Sequence, residues 1–492
     1  VSVFVSAAGR NSAGSRKRGP IFACAIAGAA LAGCNAVGPD YLKPNAIVPN
    51  AYKEIKGWKL ATPRDDFAKG QWWRVFRDAE LDRLEATVVV SNENVKYYAA
   101  NYSNALALIA EARSSLFPIV TFDPTINRSS GPPISTNVNA EISGSWTLDV
   151  WGKVRRQIEQ EGAAAEVSAA DLANATLSAQ SSLALAYVQV READELHDLL
   201  ADTVKQYQRS LDITKNQYAA GTTAKSDVIT AQAQLLAAQA QEINTDVARQ
   251  QNEHAIAVLM GKPPAEVSVS HRGLPNNVPH PPVRLPSSLL ERRPDIAAAE
   301  RAMKEQNAAI GVAVAGYYPD ISLSGAFGYS GDPFIRQMAG ANPVWSYGLS
   351  VAQTLFNGGL TAAQVEAAKA TYEASVATYR QTVLTAFQQV EDQLSAINVY
   401  DREIKVEIET VKIATQAVQI ALNEYKAGTQ AFTTVVTAET TQLSDQESLL
   451  TTKAARLTAA FSLIVALGGG WDERELPKLA PDAPPDAAKP SP

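Results

Sequence analysis

Apolar residues between positions 383 and 425 recur at spacings of 7, 4 and 3: Val383, Val390, Leu394, Ile397, Ile404, Ile408, Val411, Val418, Leu422 and Tyr425. That period predicts a helix with a coiled-coil seam. An earlier stretch keeps a weaker version through Leu183, Tyr187, Val190, Val204, Leu211 and Tyr218, with His197 and Lys215 interrupting it. No proline lies between Gly152 and Gly221, or between Gly359 and Gly428, each pair standing 69 positions apart. At 1.5 Å per residue each arm would be roughly 100 Å long. A shorter return helix is expected after each arm, over about 226–260 and about 433–467. Gly221 and Gly428 suit the turns between them, because glycine tolerates the left-handed conformation of a helix end.

A different period precedes each arm. Trp345, Tyr347, Leu349 and Val351 alternate with Ser346, Gly348, Ser350 and Ala352, and Ile321, Leu323, Phe327 and Tyr329 alternate with Ser322, Ser324, Gly328 and Ser330. Val138, Ala140, Ile142, Gly144, Trp146 and Leu148 form a third series, and Val120, Phe122 and Ile126 a fourth, interrupted by Pro124. Strands of about ten residues, apolar on one face and small or polar on the other, fit a transmembrane barrel. Soluble half-buried sheets alternate in the same way. In the membrane reading Trp146, Tyr329, Trp345 and Tyr347 would lie at the lipid interface. Four strands cannot close a barrel, and lipid forbids open edges. Strands must then be shared between protomers, and three copies would supply twelve.

The two halves are duplicates. Tyr218-Ala219-Ala220-Gly221-Thr222 recurs 207 residues later as Tyr425-Lys426-Ala427-Gly428-Thr429. Asn216/Asn423, Val228/Val435, Gly152/Gly359, Val258/Val465 and Gly261/Gly468 keep the same offset. So many marks in register establish an internal repeat.

Composition narrows the class. Of 492 residues 19% are charged and 46% hydrophobic, with a formal charge of −7, so nothing points to nucleic acid. The two cysteines, Cys24 and Cys34, exclude a disulfide framework in the rest of the chain. Arg16-Lys17-Arg18, the apolar run from Ile21 to Ala30 and Leu31-Ala32-Gly33-Cys34 read as a lipoprotein signal, with lipid on the Cys34 thiol. An ordinary secretory signal with a chance cysteine is the plainer alternative. Cleavage there removes four basic groups and no acid, leaving 40 basic and 51 acidic groups. Asn35, where an aspartate would favour inner-membrane retention, points to the outer membrane.

Further motifs follow in order: Gly38-Pro39-Asp40-Tyr41-Leu42-Lys43-Pro44; Trp73, Phe76, Asp78, Leu81 and Leu84; Leu285-Pro286 with Leu289-Leu290-Glu291-Arg292-Arg293-Pro294-Asp295-Ile296; Ile310-Gly311; Tyr318-Pro319; and Ala466-Leu467-Gly468-Gly469-Gly470-Trp471. Together with Cys34 they resemble the TolC-like outer-membrane factors, in the branch of nodulation and multidrug efflux lipoproteins. The resemblance implies a mainly α protein with a β-barrel part. It would be a homotrimer with a 12-stranded outer-membrane barrel, continued by a long periplasmic α-helical barrel. It further implies a passive conduit for drugs or other small molecules that opens at its periplasmic tip, served by a periplasmic adaptor and an inner-membrane RND-type pump. Tyr218, Gly221, Thr222, Tyr425, Gly428 and Thr429 would form the adaptor-docking turns. Relatives often carry an aspartate where Thr437 stands here; Asp227 and Thr434, equivalent across the repeat, complete the gate candidates. Asp227 could instead cap its helix. The Arg292-Arg293 pair could meet a phosphate or a partner, though a salt-bridged structural role is the plainer reading.

The organisation expected is a signal peptide at 1–33, an extended segment at 34–76, a first repeat at 77–268 and a second at 269–471, then a Pro- and Ala-rich disordered tail at 472–492. The first repeat would hold a strand pair at about 119–149 and a helical hairpin at about 152–260. The second would hold a helix at about 294–317, a strand pair at about 320–356 and a hairpin at about 359–468. No nucleophile–base pair, metal motif or phosphate loop is present, so neither an enzyme nor a cofactor is expected. A protein-secretion exit duct and a pore-free coiled-coil lipoprotein are the competing readings.

Overall fold

Gly152 and Gly359 hold φ angles of +79° and +91°, which side chains rarely adopt, and each caps the start of a 67-residue helix. The computed structural model describes residues 36–45, 48–49, 51–54, 71–131, 135–275, 292–331 and 342–471. Cys24, Cys34, the Leu285–Glu291 part of one motif and the 472–492 tail lie outside them. In chain order the elements are α1 (Ala79–Ser91), α2 (Glu93–Ser114), β1 (Ile119–Ser129), β2 (Ser135–Leu148), α3 (Lys153–Ala219), α4 (Lys225–Leu259), α5 (Pro294–Ala315), β3 (Asp320–Gly331), β4 (Asn342–Ala352), α6 (Leu360–Lys426) and α7 (Phe432–Ala466), with short 3₁₀ turns at Trp72–Phe76 and Pro264–Glu266. The limits of α3 and α6, and of α4 and α7, differ by 207 residues, whereas those of α2 and α5 differ by 201. The change of offset falls within the strand pairs.

Each long helix has a short partner for its lower and its upper half. Below, α3 packs on α4 and α6 on α7, with α7 also against α3, so the lateral order is α4, α3, α7, α6. Above, α2 packs on α3, and α5 lies between α3 and α6. By length and composition α7 is apolar enough to cross a membrane, but more than half of its most apolar stretch is buried inside the protein. The heptad positions of α6 are largely core: Val383, Val390, Leu394, Ile397, Val418 and Tyr425 are buried, while Ile408 is exposed. His197, an interruption of the α3 seam, bonds through Nδ1 to Thr245 Oγ1 of α4 at 3.3 Å.

Where an upper helix meets a lower one, the repeat builds the same joint twice. Asn92, ahead of α2, donates through Nδ2 to Leu259 O at the end of α4 (2.7 Å). Arg293, ahead of α5, donates through Nη1 to Ala466 O at the end of α7 (3.0 Å). Such contacts satisfy carbonyls that a helix end leaves unpaired. The glycine after each lower helix, Gly261 or Gly468, has φ of +66° or +96° and lies against the backbone of the upper segment. A Cβ on Gly261 would lie 2.1 Å from Ser91 O, and one on Gly468 would lie 1.9 Å from Arg292 O. Arg293 also forks onto Asp295, at 3.0 and 2.6 Å, so its role is the salt-bridged structural one.

The other motifs are used the same way. Asp78 caps α1 by accepting from the Glu80 and Leu81 amides, and also accepts from the Tyr187 hydroxyl at 2.6 Å. Phe76 stacks on Phe461 at 3.9 Å. The Arg156 guanidinium holds Val37 O, Gly38 O and Asp40, Asn307 holds Pro39 O, and Tyr41 donates to Glu300. Gly38 and Gly311 come so close that a Cβ on Gly38 would be 2.5 Å from Gly311 Cα.

One core position works against stability. Glu85 on α1 is 0% exposed and neither carboxyl oxygen has a hydrogen-bond partner. Burial raises its pKa from 4.5 to about 9. The folded protein therefore keeps a proton that the unfolded chain loses above pH 4.5. Folding is not penalised below that value and loses stability progressively up to about pH 9. Glu85→Met is expected to stabilise the fold at pH 8, by on the order of several kcal/mol and so with a higher melting temperature, and the gain should shrink towards pH 4. Melting curves of both proteins across that range check it; a gain that does not vary with pH would contradict it.

Candidate functional site

The four strands form one antiparallel sheet in the order β1-β2-β3-β4. Its register lines up the two periods. Phe122, Ile142, Phe327 and Trp345 lie across one face, as do Trp146, Leu323 and Leu349, while Thr121, Ser143, Ala326 and Ser346 lie across the other. The apolar face is exposed at Phe122, Ile142, Leu323, Phe327, Tyr329, Trp345, Tyr347 and Leu349. The polar face is knit by hydroxyls, with Thr121 Oγ1 and Ser143 Oγ 2.8 Å apart. Exposed apolar area on this scale marks a surface meant for a non-aqueous neighbour. β1 and β4 each pair on one side only among the described residues.

The four aromatic candidates sit at different levels of this face. Trp146 is near the helical end of β2 and donates its indole N–H to Leu116 O at 2.9 Å. Trp345 and Tyr347 stack near mid-strand, with centroids 5.8 Å apart, and Tyr329 is near the far end of β3. A second aromatic group, at the strand–helix junction, carries no periodic signal. Trp151 stacks on Tyr318 at 4.9 Å and donates to Pro319 O, with Phe117, Tyr317 and Phe356 exposed. Ala36 is packed against Gly152 at the same level: a Cβ added to Gly152 would be 2.5 Å from Ala36 Cα. Ala36 follows Cys34 by two residues.

At the opposite end the two hairpins turn alike. Gly221 and Gly428 have φ of +74° and +72°. Thr222 N and Oγ1 donate to Gln217 O, and Thr429 N and Oγ1 donate to Glu424 O. These are the back-bonds that close a helix end on a left-handed glycine. The two tyrosines differ. Tyr218 is 47% exposed, whereas Tyr425 is 4% exposed, packed on Phe432 with its hydroxyl 3.4 Å from Thr223 Oγ1. Of the pair, Tyr218 presents its ring outward in this conformation.

The gate candidates are near these turns but not together. Asp227, in the first turn of α4, accepts from the Thr223 hydroxyl, and no side chain caps the amides at that helix start; its carboxylate still lies at the positive end of the helix dipole. Thr437 donates to Thr433 O at 2.9 Å, and Thr434 lies 3.5 Å from Gln430 Oε1. Sequence reasoning misses two features here. One is Glu439, a buried acid between the hairpins. The other is a pair of exposed apolar stripes on the lateral helices: Ile229, Leu236 and Ile243 on α4, and Val399, Val406, Ile413 and Ile420 on α6. Both stripes repeat every seven residues, so the signal is present; on α6 the core seam masks it. Among the described residues no three His, Cys, Asp or Glu side chains are grouped to hold a metal.

Known proteins share this arrangement. Nodulation protein T of Rhizobium leguminosarum bv. trifolii is 28% identical over 320 residues, covering 63% of this chain and 68% of that protein. The toluene efflux pump outer membrane protein TtgC of Pseudomonas putida is 28% identical over 313 residues, covering 61% and 65%. The chain thus spans about two thirds of the length of the curated relatives it matches. The structure of the outer-membrane channel OprN superposes with a TM-score of 0.81 at 29% identity, over 88% of this chain and 99% of that one. The outer membrane efflux protein family matches residues 87–262 and 285–469. With both repeats matched and the fold of a solved outer-membrane channel, the chain belongs to the outer membrane efflux protein family.

Proposed function

We propose that three copies of this chain form the outer-membrane duct of a tripartite efflux assembly. The observation that carries this reading is the sheet: four strands, an apolar outer face, a small polar inner face and two edges without partners among the described residues. Unpaired edges are not tolerated in lipid, so β4 of one protomer joins β1 of the next and twelve strands close. The helical half supports the same symmetry. The lateral helices α4 and α6 carry the exposed stripes, which would interdigitate between neighbours and continue the barrel as a helical tunnel. The polar strand face would line a wet pore that conducts passively, the energy coming from an inner-membrane RND-type pump. Matched relatives named for efflux make small molecules the cargo class.

In this reading acyl chains on Cys34 enter the inner leaflet of the outer membrane at the Trp151–Tyr318 junction. The far turns are the periplasmic tip. Gly221, Thr222, Gly428 and Thr429 shape it, Tyr218 offers an exposed ring to a periplasmic adaptor, and Tyr425 holds the turn from inside. Asp227, Thr434 and Thr437 surround the entrance. Three Asp227 carboxylates facing one axis would repel one another and attract cations. The apolar outer face of the sheet speaks against a pore-free coiled coil.

Detergent-extracted protein is expected to run as a trimer and to produce discrete conductance steps in a planar bilayer. A persistently monomeric, non-conducting product would sink this proposal.

A further inference from the structure

The two hairpins are stout in themselves and thinly joined to each other. Towards the tip the apolar seam between them is one cluster, in which Tyr207, Leu211, Ala231 and Leu235 of the first hairpin meet Tyr425, Phe432 and Val435 of the second. An ionisable acid lies in that seam. Glu439 of α7 is 3% exposed, and its carboxyl accepts from Ser210 Oγ of α3 and from Gln234 Nε2 of α4 (3.3 Å). It therefore touches both helices of the opposite hairpin at once. The equivalent place in the first repeat, 207 residues earlier, holds Gln232, a neutral amide exposed on α4, so the device is built on one side only.

We propose that Glu439 is a pH-responsive latch between the hairpins: protonated, it holds the seam shut, and ionised, it favours parting the seam so that water can reach the carboxylate. This rests on the duct reading above, in which parting the hairpins near the tip widens the entrance. The surrounding groups leave the charge unbalanced. From α3 come Ser210 and the Tyr207 phenol, itself pushed up by burial; from α4 comes neutral Gln234; along α7 the other acid acting on Tyr207 is Glu447. No base is among them. Burial raises the Glu439 carboxyl from 4.5 to about 7, and the two hydrogen bonds offset only part of that rise. In a parted, wet seam the carboxyl returns towards its ordinary value. The shut state is then unpenalised below pH 4.5 and weakens as pH rises towards about 7. The full shift corresponds to about a 300-fold change in the balance between shut and parted forms.

The test is the open probability of the purified trimer in planar bilayers from about pH 5 to about pH 8. The wild type is expected to open more as pH rises, and Glu439→Gln, neutral at every pH, to stay low and flat. Ser210→Ala combined with Gln234→Leu removes the donors that favour the ionised form in the shut seam, so the ionised shut state is penalised further and open probability should rise more between about pH 5 and about pH 8 than in the wild type. This second variant keeps the acid and decides the matter even if Glu439→Gln does not assemble. A pH-independent wild type, a slope retained in Glu439→Gln, or a rise in the double variant no larger than the wild type's would overturn the latch while leaving the duct intact. Absence of conductance at any pH would overturn the duct reading, and the latch with it.

Discussion

Gly468→Ala is expected to abolish the assembled protein, although it adds one methyl group. The new Cβ would lie 1.9 Å from Arg292 O and 2.7 Å from its carbonyl carbon. Both are backbone atoms, so no rotamer change can relieve the clash. The φ of +96° adds strain of its own. The end of α7 must back away from the start of α5, which breaks the Arg293–Ala466 bond and opens the joint under the upper half. A loss on the order of 4 kcal/mol is the scale for such a forced backbone shift. Gly261→Ala should act alike, since its Cβ would be 2.1 Å from Ser91 O. The tip glycines are the control. Gly221 and Gly428 have nothing within 4 Å of an added Cβ, so alanine there carries only the left-handed penalty of about 1–2 kcal/mol. Thermal melts and protease resistance of all four variants check this. A Gly468→Ala protein as stable as Gly428→Ala would show that the joint is looser than described.

Charging the α4 stripe should separate the protomers without unfolding them. In the double variant Leu236→Glu with Ile243→Glu, both carboxylates fall on exposed positions of the single chain, so each protomer keeps its own core. In the proposed trimer the same positions would face α6 of the neighbour, where each apolar side chain would contribute about 1.5–3 kcal/mol and an unpaired charge would be costly to bury. Repeated at three interfaces, this should turn a detergent-stable trimer into a monomer. Adding Val406→Lys and Ile413→Lys on the facing stripe should restore part of the assembly. Light scattering after size exclusion measures the outcome. An unchanged trimer would mean that the stripes do not face the neighbouring protomer.

These two cases also show what a sequence can reveal. The paired glycines that cap and close the long helices are visible because the chain must reverse there and glycine is the residue that permits it. Strand faces are visible because alternation survives even in β1, where Pro124 breaks the run but keeps its place opposite Ala140. Other features depend on distant packing. Gly261 and Gly468 are recognisable as a repeated pair, yet the reason for them is a carbonyl contributed from the other end of the repeat. Glu439 reads as one of three acids on a Thr-rich helix, and only the arrival of α3 and α4 buries it. The α6 stripe is hidden because one helix carries two apolar faces, and the inner seam accounts for most of the period. The same count places Ile408 in that inner seam, but it is exposed.

The unequal tyrosines at the two tips have an evolutionary corollary. Duplication supplied two identical ends, but folding enlisted Tyr425 and left Tyr218 unencumbered. A lineage acquiring a new companion protein could rewrite the neighbourhood of Tyr218 with little loss of stability, whereas any change at Tyr425 must first satisfy Phe432. Divergence between close cousins should therefore accumulate at the first tip and be scarce at the second.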